Sequence, residues 1–535
     1  MAEEQLAFAR KASGMVRGLS YWDVLSLGMA FITPILSIWY IIQVGLNLYP
    51  QANLVICVLI SVATVGWAGP LVWGILGGTM PRSGGDYVYS SRILTPWLAM
   101  GGSFAMLCGA FYWTIFNAAV FAVPSLSILG QYMGWTGLTD FATSTAGSCI
   151  LSIICLAIAL LIVIFGQSLY RKLSVAAIIV MSGGVLILNI PLTFTSKAEF
   201  AANWDAEAAK AGSLPYNEFL TAAQAAGASA ATTWNWSDTF GATAVVFFLF
   251  IWTFAISYVG GEVKRPDKVL IRAHVGSYMV PALLAVWAFI GLTYIVGFDF
   301  LRATAFQDFN GTVEGYTLAY PPNYMSLSYI ASGASPIIAW VASLTFLITM
   351  TWLNTIQFIV AQRIMFAWGM DRMGPKWFTA VNARWASPIG MYLLVAGISM
   401  FLVVGYWYLF PSVLAGMVAS GMQLVSTFLL VSICAILLAY RKKVVHIWDS
   451  SPFHNWKFLG LPVITIAGVV YLIYILALLW FAFLDANTRD ITGKKAILLV
   501  VVWVVGILWY LFWKRRSSKQ GIDVAHMTYM ELPPE

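Results

Sequence analysis

The stretch TAVVFFLFIWTFAISYVGGEVKRPDKVLIR, residues 243–272, decides the fold. Its first half is apolar and long enough to enter a bilayer, and its second half leads to a basic Lys-Arg-Pro exit. Four small or polar residues interrupt it: Thr253, Ser257, Gly260 and Gly261. Irregular backbone inside a membrane survives only where protein or a cavity satisfies its polar groups. We therefore predict a helix that loosens at mid-depth and contributes to a ligand site.

A second interrupted helix is predicted at residues 23–46, which contain Gly28 and Pro34. Proline has no amide hydrogen, so Pro34 leaves the carbonyl oxygen of Ala30 free to face a ligand or ion. The amides that follow Pro34 would open a half-helix whose positive end attracts an anionic group. A simple kink is the alternative, but the pairing of two such helices favours a functional role.

Composition places the chain among polytopic membrane proteins. Of its 535 residues, 60% are hydrophobic and 10% are charged, and the mean hydropathy is +0.82, whereas soluble proteins carry about 25% charged residues. The five cysteines lie in or beside apolar runs without CxxC spacing, which predicts free thiols. Residues 1–20 are polar, so no cleavable signal peptide is expected.

A membrane-spanning helix needs about 20 apolar residues, and twelve segments meet this requirement. They are residues 22–46, 54–77, 97–132, 148–168, 173–195, 241–261, 272–297, 336–368, 388–409, 411–440, 460–484 and 495–513. The predicted fold class is therefore all-α, a polytopic membrane protein with about 12 transmembrane helices.

Lysine and arginine set the expected orientation. Most of the 29 Lys and Arg residues lie on the side that carries both termini, and the positive-inside rule makes this side cytoplasmic. We predict a multi-pass protein of the cell membrane. Two long loops, residues 196–240 and 298–335, would lie outside, and the second would cover an external mouth. Each contains one N-x-[ST] sequon, at Asn235 and Asn310, whose glycosylation the sequence leaves open.

The first ten segments form two sets of five. Because five is odd, the second set runs through the membrane in the opposite direction, and an interrupted helix opening each half is the sequence sign of a secondary transporter. The predicted parts are a cytoplasmic segment (1–21), a first repeat (22–195), an extracellular loop (196–240), a second repeat (241–440), two further helices (441–513) and a cytoplasmic tail (514–535).

Other function classes find little support in the sequence. No Asp, Glu or Lys falls at the middle of a segment, which argues against a pump with a chain of buried carboxylates. The sequence has no H-E-x-x-H, paired-Cys or G-x-S-x-G motif, and its four histidines are scattered at predicted inner-face positions. Neither an enzyme nor a zinc-type metal centre is predicted. Loops facing an anionic leaflet explain the net charge of +7 without nucleic acid.

Three stretches, in order, resemble motifs of the amino acid–polyamine–organocation superfamily of transporters. MPRSGGDYVYSSRIL at 80–94 resembles the P-x-x-G-G-x-Y motif, and GGEVKRPDKVLIRA at 260–273 resembles the E-x-x-x-P exit from helix 6. NTIQFIVAQRIMFAWGMDRMGPKWFTAVNARWASP at 354–388 resembles the end of helix 8. Its matching residues are Arg363, Asp371, Gly374 and Pro375. The resemblance extends over nearly the whole chain.

The resemblance implies inverted five-helix repeats of the leucine-transporter type plus two extra C-terminal helices, with helices 1, 3, 6 and 8 lining the site. Members mostly carry amino acids, polyamines or related amines, driven by sodium or protons or by exchange. The usual glycine run of helix 1 is replaced here by residues 30–34, AFITP, and Trp252 aligns with a position that is usually small. A tryptophan there would shrink the pocket or stack on the ligand, unless it faces lipid or a neighbouring helix.

Candidate substrate-binding residues come from helices 1, 3 and 6. They are Gly28, Ala30, Thr33, Pro34, Tyr112, Asn117, Phe250, Trp252, Thr253 and Ser257.

A cation site resembling the family's sodium site would combine helix 1 carbonyls near Ala30 with helix 8 oxygens from Thr351, Asn354 or Thr355. The last three lie at i, i+3 and i+4 on one helix face, and oxygen ligands suit a hard cation. The alternative is that these side chains hydrogen-bond the preceding turn of α-helix or a neighbouring helix. Proton-coupled relatives often place a Lys on helix 5, which residues 174–195 lack.

Asp23, Glu262 and Arg363 are predicted to share one depth and to form a cytoplasmic gate. The predicted function is a secondary active transporter that moves amino acids or related small amines by alternating access, through cation symport or exchange. Its partners would be the small-molecule substrate and the lipid bilayer, with no cofactor other than a coupling ion such as Na⁺. A substrate sensor or a channel built on a transporter fold is the alternative.

Overall fold

The computed structural model describes residues 17–382, 384–409, 417–485, 493–521 and 523. Some of the predicted organisation falls outside these residues. Most of the N-terminal segment 1–21, the start of the tenth predicted helix and most of the C-terminal tail 514–535 belong to that part of the chain.

The all-α polytopic fold class is confirmed. Eleven helices in the described residues are long and apolar enough to cross a membrane, and with one shorter apolar helix they follow the twelve predicted segments in order. We number them α1 to α12. Their bounds are α1 Tyr21–Leu48, α2 Leu54–Thr79, α3 Pro96–Phe116 continued by Asn117–Ala122 and Val123–Met133, α4 Thr145–Ile164, α5 Gly166–Asn189, α6 Trp236–Tyr258, α7 Pro266–Ile295, α8 Pro336–Met370, α9 Ile389–Tyr408, α10 Met417–Leu437, α11 Val463–Phe483 and α12 Lys494–Ser518.

Shorter elements connect the spans. The helices among them are Asp86–Ile93, Thr136–Thr143, Pro191–Phe194, Lys197–Ala211, Tyr216–Ala225, Phe298–Asn310, Tyr324–Ala331 and Val445–Asp449, with 3₁₀ turns at Gly260–Glu262 and Lys376–Thr379. One two-stranded antiparallel pair, Lys457–Phe458 with Leu461–Pro462, completes the described elements.

Helix α1 is interrupted at Thr33, and a π-helical turn, Ile41–Gly45, lies in its second half. The φ and ψ of Thr33 are 47° and 78°, a left-handed conformation that is strained for a β-branched residue. Pro34 begins the second half of the helix. The Ile32 carbonyl accepts hydrogen bonds from Thr33 Oγ1 at 2.8 Å and from Ser37 Oγ at 2.5 Å. Local side chains therefore satisfy part of the backbone that the interruption exposes.

Helix α6 tightens where we expected it to come apart. It is α-helical from Trp236 to Phe250 and continues as a 3₁₀ helix from Ile251 to Tyr258. A 3₁₀ helix keeps its backbone hydrogen bonds by pairing each amide with the third preceding carbonyl. The prediction that α6 loosens is therefore wrong: the helix changes its winding in this segment, but it becomes tighter and its backbone stays hydrogen-bonded.

Two other helices depart from the predicted pattern in ways that affect the site. A π-helical turn, Asn117–Ala122, lies within α3, and such turns rotate the side chains that follow them. Helix α7 begins at Pro266, six residues before the predicted start, because proline is favoured in the first turn of a helix. This earlier start places His274 inside a span and not at its edge.

Burial separates central from peripheral helices. In the most apolar 18-residue stretch of α1 and of α6, 89% of the residues are buried, against 11% in α12. The two helices that the sequence singled out are thus at the centre of the bundle. We call the end that carries Glu262 and Arg363 the Arg363 end. The opposite end, covered by Phe298–Asn310, is the Asp308 end.

Candidate functional site

A small cavity lies beside the interruption of α1, in the middle of the bundle. It encloses about 40 Å³, which is space for a few water molecules and too little for an amino acid. Helices α1, α3, α6, α8 and α10 form its walls. The lining residues are Phe31, Thr33, Leu36, Tyr40, Trp113, Asn117, Phe248, Leu249, Trp252, Leu353, Gln357 and Leu424.

The side-chain amide of Asn117 is the most unusual group in this cavity. Asn117 is buried, and neither its Nδ2 nor its Oδ1 has a hydrogen-bond partner among the described residues. A buried polar atom without a partner costs about 1–3 kcal/mol, so native proteins seldom keep one without a reason. The amide occupies the first position of the π-helical turn, and it offers one donor group and one acceptor to a ligand.

Aromatic rings form one side of the cavity. The ring centroid of Trp252 lies 6.2 Å from that of Trp113 on α3 and 5.3 Å from that of Phe248 on α6. Trp252 is buried and lines the cavity, so it does not face lipid. These flat apolar surfaces suit a hydrophobic or ring-bearing group.

Backbone amides and carbonyls at the interruption carry the partial charges that could bind a charged ligand, because the side chains that line the cavity carry no net charge. None of the lining residues is ionised at neutral pH. The amides of Ile35 and Leu36 belong to the first turn of the second half-helix, where backbone amides have no acceptor within the helix. Pro34 provides no amide for the carbonyl of Ala30. A half-helix start and a half-helix end therefore meet beside the cavity.

The structure distributes the ten predicted substrate-binding residues over three environments. Thr33, Asn117 and Trp252 line the cavity, and Ala30 and Pro34 form the interruption beside it. The remaining five do not line this cavity: Gly28, Tyr112, Phe250, Thr253 and Ser257.

Three of those five face α7 instead of the cavity. A Cβ atom on Gly28 would lie 2.5 Å from Ser277 Oγ, and the ring of Phe250 lies 5.2 Å from that of Tyr278. Ser257 contacts His274, with 3.1 Å between Oγ and Nε2. Tyr112 is half-buried against its α3 neighbours, and Thr253 is buried. The sequence identified the right helices but could not fix their rotation.

The predicted cation ligands on α8 contact α4. Thr351 Oγ1 lies 3.3 Å from Cys155 Sγ, and Asn354 Nδ2 lies 3.4 Å from the same sulfur. Thr355 donates to the carbonyl of Thr351 at 3.1 Å, which is the local hydrogen bond that we gave as the alternative. Asn354 Oδ1 is buried and has no hydrogen-bond partner within the described ranges, so one oxygen of the predicted set is still available. The sodium site stays a prediction.

Contacts at the Arg363 end close the bundle on one side. Arg363 Nε donates to Glu262 Oε1 at 2.5 Å, and both side chains are buried. The chain before α1 pairs with the exit of α6, since Leu19 and Val263 form a parallel bridge and the Leu19 amide donates to the Glu262 carbonyl at 3.0 Å. These contacts tie α1, α6 and α8 together.

The third predicted gate residue, Asp23, has other partners. Its carboxylate accepts a hydrogen bond from Ser174 Oγ at 2.6 Å and lies 3.5 Å from Arg171 Nε on α5. It also accepts hydrogen bonds from the Ser20 amide and hydroxyl, which cap the start of α1. The structure therefore pairs Glu262 with Arg363 but assigns Asp23 to the α1–α5 contact.

The Asp308 end is closed by a helix outside the membrane spans, Phe298–Asn310. Trp39 Nε1 on α1 donates to Asp308 Oδ2 at 2.6 Å, and Gln43 Nε2 donates to the Asp308 carbonyl at 3.0 Å. The ring of Trp39 also packs edge-on against Phe346 of α8, at 5.6 Å. Burial raises the pKa of Asp308 to about 7, and the Trp39 hydrogen bond partly offsets this rise. The helix thus holds the second half of α1 through one half-buried carboxyl group.

Several of the residues that line the cavity were not predicted from the sequence. Trp113 lies one turn before Asn117 on α3, so the i, i+4 spacing was a usable signal that pointed to Trp113 over Tyr112. Gln357 lies three residues after Asn354, one of the predicted cation ligands on α8, so a similar helical spacing pointed to it. Leu424 of α10 carried no signal, because an apolar residue in a transmembrane helix does not reveal which neighbour it faces.

One protein family matches this chain. The family model described as amino acid permease matches residues 19–506, which include the whole cavity and the closing contacts at both ends. A search of curated proteins found no match.

Proposed function

We propose that this chain, which belongs to the amino acid permease family, moves an amino acid or related small amine across the cell membrane by alternating access, through cation symport or exchange. The family makes the chain a multi-pass membrane transporter of amino acids or related compounds, which is not an enzymatic role. One observation carries the finer proposal: the unpartnered Asn117 amide lies in a cavity beside the interruption of α1.

The arrangement suggests how an amino acid would bind. Its carboxylate would accept hydrogen bonds from the amides of Ile35 and Leu36, where the helix dipole is positive. Its ammonium group would donate to the carbonyl of Ala30. The Asn117 amide would supply a further contact, and Trp252 would pack on the side chain. Because no lining side chain is ionised, this geometry favours substrates with uncharged side chains.

The transport cycle would open each end in turn. Contacts close both ends around the cavity, with Glu262 and Arg363 on one side and Trp39 and Asp308 on the other. Substrate binding requires the cavity to grow well beyond about 40 Å³, so this arrangement corresponds to a contracted, closed state. Separation of the Arg363 end would expose the site to one compartment, and release of the Phe298–Asn310 helix would expose it to the other.

Orientation and the coupling ion are part of the proposal. The excess of Lys and Arg on one side favours cytoplasmic termini, which makes the Arg363 end cytoplasmic. A sodium ion would use the carbonyl near Ala30 and oxygens of Asn354, Thr351 or Thr355. Uptake driven by an inward Na⁺ gradient in proteoliposomes, with Asn354→Ala as the comparison, tests this site.

The test of the proposed function has two stages. A thermal-shift screen of the purified protein against amino acids, amines and organic anions, with and without sodium and at two pH values, identifies ligands, since binding stabilises the folded state by mass action. Proteoliposomes are then loaded with each ligand and tested for counterflow. Saturable counterflow is expected. Unsaturable flux without counterflow would indicate a channel, and stabilisation without flux would indicate a sensor.

A further inference from the structure

A second buried polar cluster lies between α6, α7 and the short helix Asp86–Ile93. Asp86 is buried and accepts a hydrogen bond from the hydroxyl of Tyr258, the last residue of the 3₁₀ segment. The preceding residue, Ser257, lies 3.1 Å from His274 Nε2 on α7. His274 Nδ1 is buried and has no partner among the described residues. Two consecutive residues of α6 therefore contact titratable side chains: Ser257 contacts the His274 imidazole, and Tyr258 contacts the Asp86 carboxyl group.

Hydroxyl groups fill the space between the carboxyl group and the imidazole. Tyr89 lies one turn after Asp86 on the same helix. A Cβ atom added to Gly77 of α2 would lie 3.2 Å from Tyr89 Oη and 3.4 Å from Ser257 Oγ. Both hydroxyls thus approach one point that only a glycine leaves open. The cluster is a run of proton-exchanging groups packed behind the 3₁₀ segment.

The environment of Asp86 differs from that of a structural carboxylate nearby. Asp371 forms two hydrogen bonds with Arg92, at 2.6 and 2.7 Å, which is the arrangement that stabilises a buried charge. Asp86 forms no ion pair within the described part of the chain. A carboxyl group buried without a cation favours its neutral, protonated form.

The titratable groups that face Asp86 come from three elements. They are Tyr258 of α6, Tyr89 of its own helix and Cys434 of α10. Burial raises the pKa of Asp86 to about 7, and hydrogen bonds from Tyr258 and from two backbone amides partly offset this rise. A modest change in hydration would therefore change its protonation near neutral pH.

We propose that Asp86 binds a coupling proton during transport and that Tyr258 communicates its charge state to α6. The proposal rests on the proposed function, because a coupling ion has a role only in a transporter. The ligand is a proton because the cluster offers one carboxyl group, hydroxyls and an imidazole. No group of three His, Cys, Asp or Glu residues placed to hold a metal occurs in the part of the chain that the structure describes.

The loop before Asp86 controls its access to water. The Gly84 amide donates to the Tyr258 carbonyl at 3.4 Å. Gly85 has φ 44°, and a Cβ there would lie 2.9 Å from the Tyr258 ring, so this contact depends on glycine. When the loop separates from α6, water reaches the carboxyl group, which transfers its proton to water and remains as a carboxylate. The charge state of Asp86 therefore follows its hydration, and Tyr258 transmits it to α6.

The test separates coupling from transport. Asp86→Asn keeps an acceptor for Tyr258 but cannot exchange a proton. With a substrate found in the thermal-shift screen, we expect this variant to retain counterflow at close to the rate of the unsubstituted protein. Its uptake should no longer respond to an inward proton gradient, and an entrapped pH-sensitive dye should report no proton entry. Asp140→Asn, which removes an exposed carboxylate, is the matched control and should keep both responses.

Two results would overturn the proposal. Gradient-driven accumulation by Asp86→Asn equal to that of the unsubstituted protein would show that the proton binds elsewhere. Loss of counterflow and accumulation together, in a variant that still binds substrate, would assign Asp86 to the opening of the Arg363 end itself.

Infrared titration gives an independent readout. The unsubstituted protein should show, near neutral pH, the carbonyl stretch of a protonated carboxyl group that Asp86→Asn lacks, and Tyr258→Phe should shift its frequency. Absence of this band below neutral pH would also overturn the proposal. If no compound shows counterflow with the unsubstituted protein, the proposed function fails, while the infrared titration still decides whether Asp86 binds a proton.

Discussion

Replacing Asn117 with leucine should stabilise the substrate-free protein while weakening substrate binding. The side chain contributes two buried polar atoms that have no partner in the part of the chain that the structure describes, and each such atom costs about 1–3 kcal/mol. Leucine has a similar volume and fits the apolar lining of the cavity. Removing both atoms should raise the free energy of unfolding by about 2–6 kcal/mol. Affinity should fall by about 10- to 100-fold, the equivalent of one or two lost hydrogen bonds.

Asn189 provides the matched control because it is a buried asparagine with partners. Its Nδ2 donates to the Leu284 carbonyl at 3.2 Å, and its Oδ1 accepts from Tyr324 Oη at 2.8 Å. Asn189→Leu leaves those two partner groups unsatisfied and should lower the free energy of unfolding by about 2–6 kcal/mol. The same chemical change is therefore predicted to have opposite effects at the two positions.

The assay uses the protein's own thiols. Its five free cysteines are buried or half-buried, so a dye that fluoresces on reaction with thiols reports unfolding in detergent. Substrate affinity follows from the shift of the unfolding temperature with ligand concentration, and transport follows from counterflow. If Asn117→Leu destabilises the protein as much as Asn189→Leu, the Asn117 amide has a structural role and the argument for the binding site is refuted.

Three further predictions follow from the interruption of α1 and from the buried charges. Pro34→Ala restores an amide that can donate to the Ala30 carbonyl, so we expect about 1 kcal/mol of added stability and slower counterflow; unchanged counterflow would show that the interruption is not needed. Arg363→Met leaves Glu262 buried without its cation and should cost about 3–5 kcal/mol, most of which the added change Glu262→Gln should restore in thiol-dye unfolding. Burial raises the pKa of Asp308 from 3.8 to about 7, so the folded state retains a proton that the unfolded chain loses. The contribution of Asp308 to the free energy of unfolding is therefore complete below about pH 4 and is lost as the pH rises to about 7, a decrease of up to about 4 kcal/mol. Asp308→Asn should lack this decrease when unfolding is measured as a function of pH.

The sequence by itself determined the helices and the position of one interruption. Each span must bury about 20 residues of backbone in lipid with its hydrogen bonds satisfied internally, so hydropathy alone locates the helices. Pro34 lacks an amide whatever surrounds it, and α1 is interrupted directly before it, at Thr33. These are local properties of the chain, and no tertiary contact is needed to predict them.

Tertiary structure decided which faces of those helices form the site. The 3₁₀ winding of α6 directs Trp252 into the cavity and Ser257 toward His274. The π-helical turn of α3 begins at Asn117, whose amide lies in the cavity. In lipid both faces of a helix are apolar, so its rotation carries no hydrophobic signal of the kind that orients a helix in water. Packing between helices fixes that rotation. Packing likewise buries Asp86 with no cationic partner among the described residues, although in the sequence it is one aspartate in a loop motif.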